Sequence, residues 1–158
     1  MKRLRSRFLR LSTTERWFLI KAALLLEGIK LAMLLFPFRV LRRLVDRTAS
    51  VPVGVRRSDR FSAERIGRVV QTVSRHVPGV KTCLVQALAT QVLLARRGYP
   101  AVLYIGALKT DKGAIQAHAW VECEGEVVIG GDELERYTPI TTLDRNRGSQ
   151  RPNHIVGR

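Results

Sequence analysis

Helix-forming stretches separated by turn and linker residues occupy the chain up to about residue 97, and apolar residues alternate with polar ones beyond it. Ser12 and Glu15 have the S-x-x-E form of a capping box, and strong helix formers follow without a proline until Pro37, so the pattern predicts a helix over 13–36. Lys21, Glu27 and Lys30 fall on different sides of its wheel, which leaves the helix apolar nearly all round. Residues 48–60, TASVPVGVRRSDR, combine Pro, Gly, Ser and charge, as a linker does. Ser62 then opens a second helix with Ile66, Val69, Val70 and Val73 on one face, stopped by His-Val-Pro-Gly at 76–79. Thr82 stands at the N-cap of a third helix over 83–97. Its Leu84, Ala87, Leu88, Val92 and Ala95 repeat at helical spacing, and Gly98 is placed for a left-handed C-cap.

From Tyr99 the period drops to two. The runs AVLYIGAL, IQAHAWVEC and EVVIG, separated by TDKG and EG, predict three strands of an antiparallel meander. From Thr141 onward there is no period, and a frayed tail is expected. The fold class is therefore α+β, three helices followed by three strands. Its parts are a basic helical arm over 1–47, the linker over 48–60, a core over 61–143 and a flexible tail over 144–158.

Composition narrows the partners. With 158 residues the chain has room for one domain and an arm, and 46% hydrophobic content excludes a disordered chain. The net charge of +15 is concentrated: residues 1–47 hold twelve of the 28 Lys and Arg but three of the 13 Asp and Glu. An anionic partner is compatible with that charge. Nucleic acid is not the expected one, because no aromatic stacking surface or groove-reading motif accompanies the basic residues. A membrane-spanning reading of the first helix would bury Lys21, Glu27 and Lys30 at roughly 2.5–3.5 kcal/mol for each charge near the bilayer centre. Packing on the domain or on a protein partner is the cheaper expectation. Peripheral contact with a membrane surface, helped by Arg39, Arg42, Arg43 and Arg47, is the alternative. Two cysteines make no disulfide scaffold, and no small-residue cleavage site follows the apolar stretch, so a reduced, cytoplasmic setting is expected.

Those two cysteines differ in setting. Cys83 falls in the first turn of the third helix, where unpaired N–H groups and the helix dipole favour a thiolate. Cys123 lies an odd number of residues from His118 on one strand, so it faces the other way and belongs to the core. His118 is flanked by Ala117, Ala119 and Trp120, and an imidazole there could take the proton of a helix-start thiol. His76 precedes the Pro-Gly stop and His154 is in the polar tail, which makes both weaker candidates. The group that would orient the imidazole depends on the Glu124-Gly125 turn. A two-residue loop pairs His118 with Gly131 and turns Asp132 to the opposite face; a bulged three-residue loop pairs His118 with Asp132. No metal-ligand set and no Gly-rich phosphate loop is present, so neither metal nor nucleotide cofactor is expected.

The run KTCLVQALATQVLLARRGYPAVLYIG, followed by AHAWVE, then VVIGG and ERYTPI, resembles the transglutaminase-like half of lasso-peptide biosynthesis proteases over residues 80–143. The helical basic arm is similar as well. The resemblance implies a papain- or transglutaminase-like core with the Cys at a helix start and the His and Asp on an antiparallel sheet. It implies a Cys-His-Asp triad, matched here by Cys83 and His118. The family's acid commonly follows the His by about twelve positions. That position is Gly130 here, with Asp132 two further on. Gln86, one turn after Cys83, is a candidate for the oxyanion, and Trp120 for shielding the imidazole.

The activity implied is that of a cysteine peptidase that removes the leader from a ribosomally made precursor through a thioester. An acyltransferase and a non-catalytic scaffold of the same fold are the alternatives. The partners implied are the precursor peptide, a small separate leader-recognition protein, for which this chain has no room, and an ATP-dependent macrolactam cyclase.

Overall fold

Both bonds of the first capping box are made: the Ser12 N–H donates to Glu15 Oε2 at 2.9 Å, and the Glu15 N–H donates to Ser12 Oγ at 3.3 Å. The computed structural model describes residues 12–37, 39–40, 43, 47, 62–76, 82–111, 113–144 and 148–150. The linker expected over 48–60, the start of the arm, residues 77–80 and His154 lie outside the described residues. Helix α1 spans Thr13–Leu35, α2 Ala63–Ser74 and α3 Cys83–Ala95. Phe36 is extended (φ −128°, ψ 146°), which ends α1 one residue earlier than expected. The reason is steric, since a residue before proline is pushed out of the helical region. α3 stops at Ala95 because Gly98 (φ 76°) closes it, with the Gly98 N–H donating to Ala95 O and the Tyr99 N–H to Leu94 O.

Helix α1 is divided by its environment. Phe18, Ala22, Leu26 and Ile29 are buried with α2 and α3 in one core, while Trp17, Leu24, Leu31 and Leu34 are exposed on other sides. Arg97, just past α3, lies 4.3 Å over the Phe18 ring, and burial lowers the pKa of its guanidinium. Arg65 of α2 pairs with Glu15 of α1. Among the described residues no helix is long and apolar enough to cross a membrane.

Glu15 has its carboxyl held below the usual value, first by the hydrogen bond from the Ser12 backbone. A depressed folded-state pKa contributes stability above the ordinary carboxylate value, and that contribution is lost as pH falls through the folded value. Ser12→Ala should lower stability by about 1 kcal/mol, measured as a downward shift of the denaturant midpoint.

The sheet is antiparallel and larger than the sequence pattern indicates. Strands β1 (Ala101–Lys109), β2 (Ile115–Cys123), β3 (Glu126–Ile129), β4 (Thr138–Asp144) and β5 (Gly148–Gln150) stand in the order β3-β2-β1-β4-β5. The expected meander is β3-β2-β1. The frayed tail expected from Thr141 is strand instead at 141–144 and 148–150, because β4 pairs with the far side of β1 and carries β5 with it. Ala101, Leu103, Ala119, Val121, Cys123 and Ile129 face the helices and share their core. Ten of the thirteen residues of α3 are buried, which makes it the central element between the other two helices and the sheet.

One contact sets how closely α2 lies on the sheet edge. A Cβ at Gly67 would fall 2.2 Å from the carbonyl oxygen of Val128, so the glycine lets the helix approach β3 at van der Waals distance.

Candidate active site

Cys83 is the first residue of α3, preceded by Thr82 at the N-cap position (φ −76°, ψ 128°). The Thr82 hydroxyl accepts no bond from the first turn, and no acidic residue stands there. The first N–H groups of a helix have no partner within it, so among the described residues the start of α3 offers donors beside Cys83. Cys83 is a half-buried free thiol that touches the core at its base.

The turn from β2 to β3 combines features of both expected registers. Glu124 (φ 56°) and Gly125 (φ 88°) form a two-residue turn with both φ positive, pairing Cys123 with Glu126 and Glu122 with Val127. A bulge at Val128 then shifts the offset by one, so Val121 stands opposite Ile129. Continued, that offset would bring His118 level with Asp132. The ladder ends at Ile129 instead, because Gly130 (φ 78°) turns the chain.

A cavity of about 510 Å³ opens beyond the end of β3, and Cys83, Gln86, His118, Gly130 and Asp132 all line it. Gln71, Ser74 and Arg75 complete the wall from the end of α2. The fold thus places Cys83, His118 and Asp132 of the sequence reading on the wall of one cavity, with Gln86 on it as well. His118 is half-buried and Asp132 exposed. The ring's Nε2 lies 2.8 Å from the Gly130 carbonyl oxygen, which accepts its hydrogen bond.

His118 also sits among aromatic rings. Trp120, 4% exposed, lies 6.3 Å from it centroid to centroid and nearly parallel at 19°, and stacks in turn on Tyr104 at 5.3 Å. The indole N–H donates to Glu122 Oε1 at 3.1 Å, which fixes its orientation. Gly106, paired with His118 across the sheet, leaves room for that indole, since a Cβ there would fall 2.9 Å from its ring. Tyr137, from the turn before β4, has its ring 4.9 Å from the imidazole, tilted by 32°. Tyr137 belongs to the ERYTPI run, yet nothing in that run gives it a place beside His118, since the pairing of β4 with β1 brings it there. Cys123 is buried in the core on the helix side. His76 is exposed, its Nδ1 2.7 Å from the Thr72 carbonyl oxygen one turn back.

A half-buried thiol at an uncapped helix start, with an oriented imidazole on the same cavity, can carry out nucleophilic acyl transfer. Among the described residues no group of His, Cys, Asp and Glu could hold a metal ion. Residues 25–142 match the family model of the transglutaminase-like superfamily, from the middle of α1 to β4. No curated protein and no solved structure matches the chain.

Proposed function

The chain belongs to the transglutaminase-like superfamily, which generally includes cysteine peptidases and acyltransferases, and from that premise we propose that it is a cysteine peptidase acting on a lasso-peptide precursor. The observation that carries the reading is the convergence of Cys83 and His118 on one cavity. The choice of substrate is supported by the resemblance of the KTCLVQ, AHAWVE and ERYTPI runs to leader peptidases.

In this mechanism His118 takes the proton of the Cys83 thiol, and the thiolate attacks the carbonyl carbon at the junction of leader and core. Backbone N–H groups at the start of α3, with the Gln86 side chain nearby, meet the oxyanion that develops. The imidazolium returns its proton to the leaving amine as the C–N bond breaks, which releases the core peptide and leaves the leader as a thioester on Cys83. His118 then takes a proton from water, the hydroxide attacks the thioester, and the thiol is restored as the leader carboxylate departs.

Leader recognition falls to a separate small protein that delivers the precursor, which raises its concentration at the cavity. An ATP-dependent cyclase consumes the released core. Precursor incubated with the chain and the recognition protein, followed by mass spectrometry, tests the proposal. Separate leader and core masses are expected. A leader joined to an amine acceptor would instead identify an acyltransferase, and intact precursor under all conditions would leave the scaffold reading in possession.

A further inference from the structure

We propose that the main-chain carbonyl of Gly130, rather than the carboxylate of Asp132, orients the His118 imidazole and fixes its tautomer, which makes Gly130 a positioning residue of the site. The inference rests on the pairing of Cys83 with His118 proposed above.

The chemistry of the acceptor is the first argument. A carbonyl oxygen has no proton to give, so a 2.8 Å contact to Nε2 places the hydrogen on that nitrogen. A neutral ring protonated at Nε2 is bare at Nδ1, and Nδ1 is then the atom that can take a proton from a thiol. When the ring becomes an imidazolium the same bond becomes charge-assisted and strengthens. A single carbonyl therefore performs the two tasks asked of the third group in a triad: it selects the tautomer and supports the charged ring.

The second argument is why the carbonyl is there. A Cβ at Gly130 would fall 2.7 Å from the Ala119 carbonyl oxygen and 3.0 Å from the Trp120 Cβ, so only glycine lets the chain close on β2 at this level. Its φ of 78° is also one that other residues rarely adopt. The approach is braced upstream, where the Val128 bulge packs against Gly67 of α2. The ring has two aromatic neighbours, Trp120 at 6.3 Å and Tyr137 at 4.9 Å centroid to centroid. Asp132, two residues on, is exposed and makes no hydrogen bond to His118 among the described residues.

The test uses the full-length chain and two readouts that need no substrate. Nitrogen-15 NMR of the histidine side chains, with the His118 signals identified by their loss in His118→Ala, reads the tautomer. Iodoacetamide alkylation of Cys83 across pH reads the thiolate. The wild-type ring should carry its proton on Nε2, and Asp132→Asn should keep that tautomer with an alkylation rate within about twofold of wild type at every pH. Gly130→Ala should mix the tautomers and slow alkylation near neutral pH by about tenfold. If Gly130→Ala does not fold, the wild-type and Asp132→Asn spectra still decide. A wild-type ring protonated on Nδ1 would overturn the proposal, as would an Asp132→Asn chain that changes tautomer or loses tenfold in alkylation. Unchanged alkylation in His118→Ala is a different result: it would separate His118 from Cys83 and strike the proposed function, while the tautomer would still report on Gly130.

Discussion

Cys83→Ala should lower precursor cleavage by at least about a thousandfold while leaving the fold and its unfolding midpoint nearly unchanged. The size of the effect follows from the chemistry. A covalent route has no substitute for its nucleophile, and alanine supplies neither a thiolate nor a group that could hold water in its place. The small cost in stability follows from the position, since Cys83 is half-buried at a helix start beside a cavity and its removal empties no closed core site. Cys123→Ala is the matching control: that residue is buried on the helix side of β2, so its loss should leave the cleavage rate within about twofold. His118→Ala should lie nearer to Cys83→Ala than to the control, because the thiol then lacks the base that removes its proton. Turnover measured with the recognition protein present checks all three. Appreciable cleavage by Cys83→Ala would remove the covalent mechanism.

Removing α1 should cost the chain its fold. Phe18, Leu26 and Ile29 are 4%, 0% and 5% exposed against α2 and α3. At about 1.5–3 kcal/mol for each large side chain buried, their loss is comparable to the whole stability of a domain, about 5–15 kcal/mol. The truncated chain would in addition present to water the faces of α2 and α3 that α1 covers. A chain lacking residues 1–36 should therefore aggregate or show no cooperative unfolding transition by circular dichroism. Leu26→Ala, a milder version, should cost about 2–5 kcal/mol by opening a cavity in a fully buried position. A truncated chain that stays folded and active, beside a full-length chain that pellets with anionic vesicles in a salt-sensitive way, would identify α1 as a membrane-surface anchor instead.

What could be read from the sequence was what is local. The capping box at Ser12 and Glu15, the apolar face of α2, the glycine that closes α3 and the alternation of β1 and β2 each depend on residues a few positions apart, and each stands where the pattern places it. Cys83 and His118 were legible as candidates because a helix start and a strand parity are also local properties. β4 was not, because Thr138–Asp144 carries no alternation and owes its conformation to the edge of β1, some forty residues away. The register of β3 was not either. It depends on a bulge at Val128 that no turn residue announces, and which comes with the packing of α2 through Gly67. The site shows the same division. Asp132 could be named as a candidate because carboxylates are visible in a sequence, whereas the Gly130 carbonyl that meets His118 is main chain and looks the same at every position. Tyr137 reaches the imidazole only through the placement of β4.

In the proposed mechanism Cys83 forms a thioester with the leader while the core peptide departs. Wild-type chain mixed with precursor and recognition protein, quenched in acid within the first turnover and analysed as intact protein, measures it directly. A species heavier by the mass of the leader peptide less one water is expected, located on Cys83 by peptide mapping and absent from the Cys83→Ala chain. Release of leader and core with no such species at any quench time, at a rate unchanged in Cys83→Ala, would contradict it.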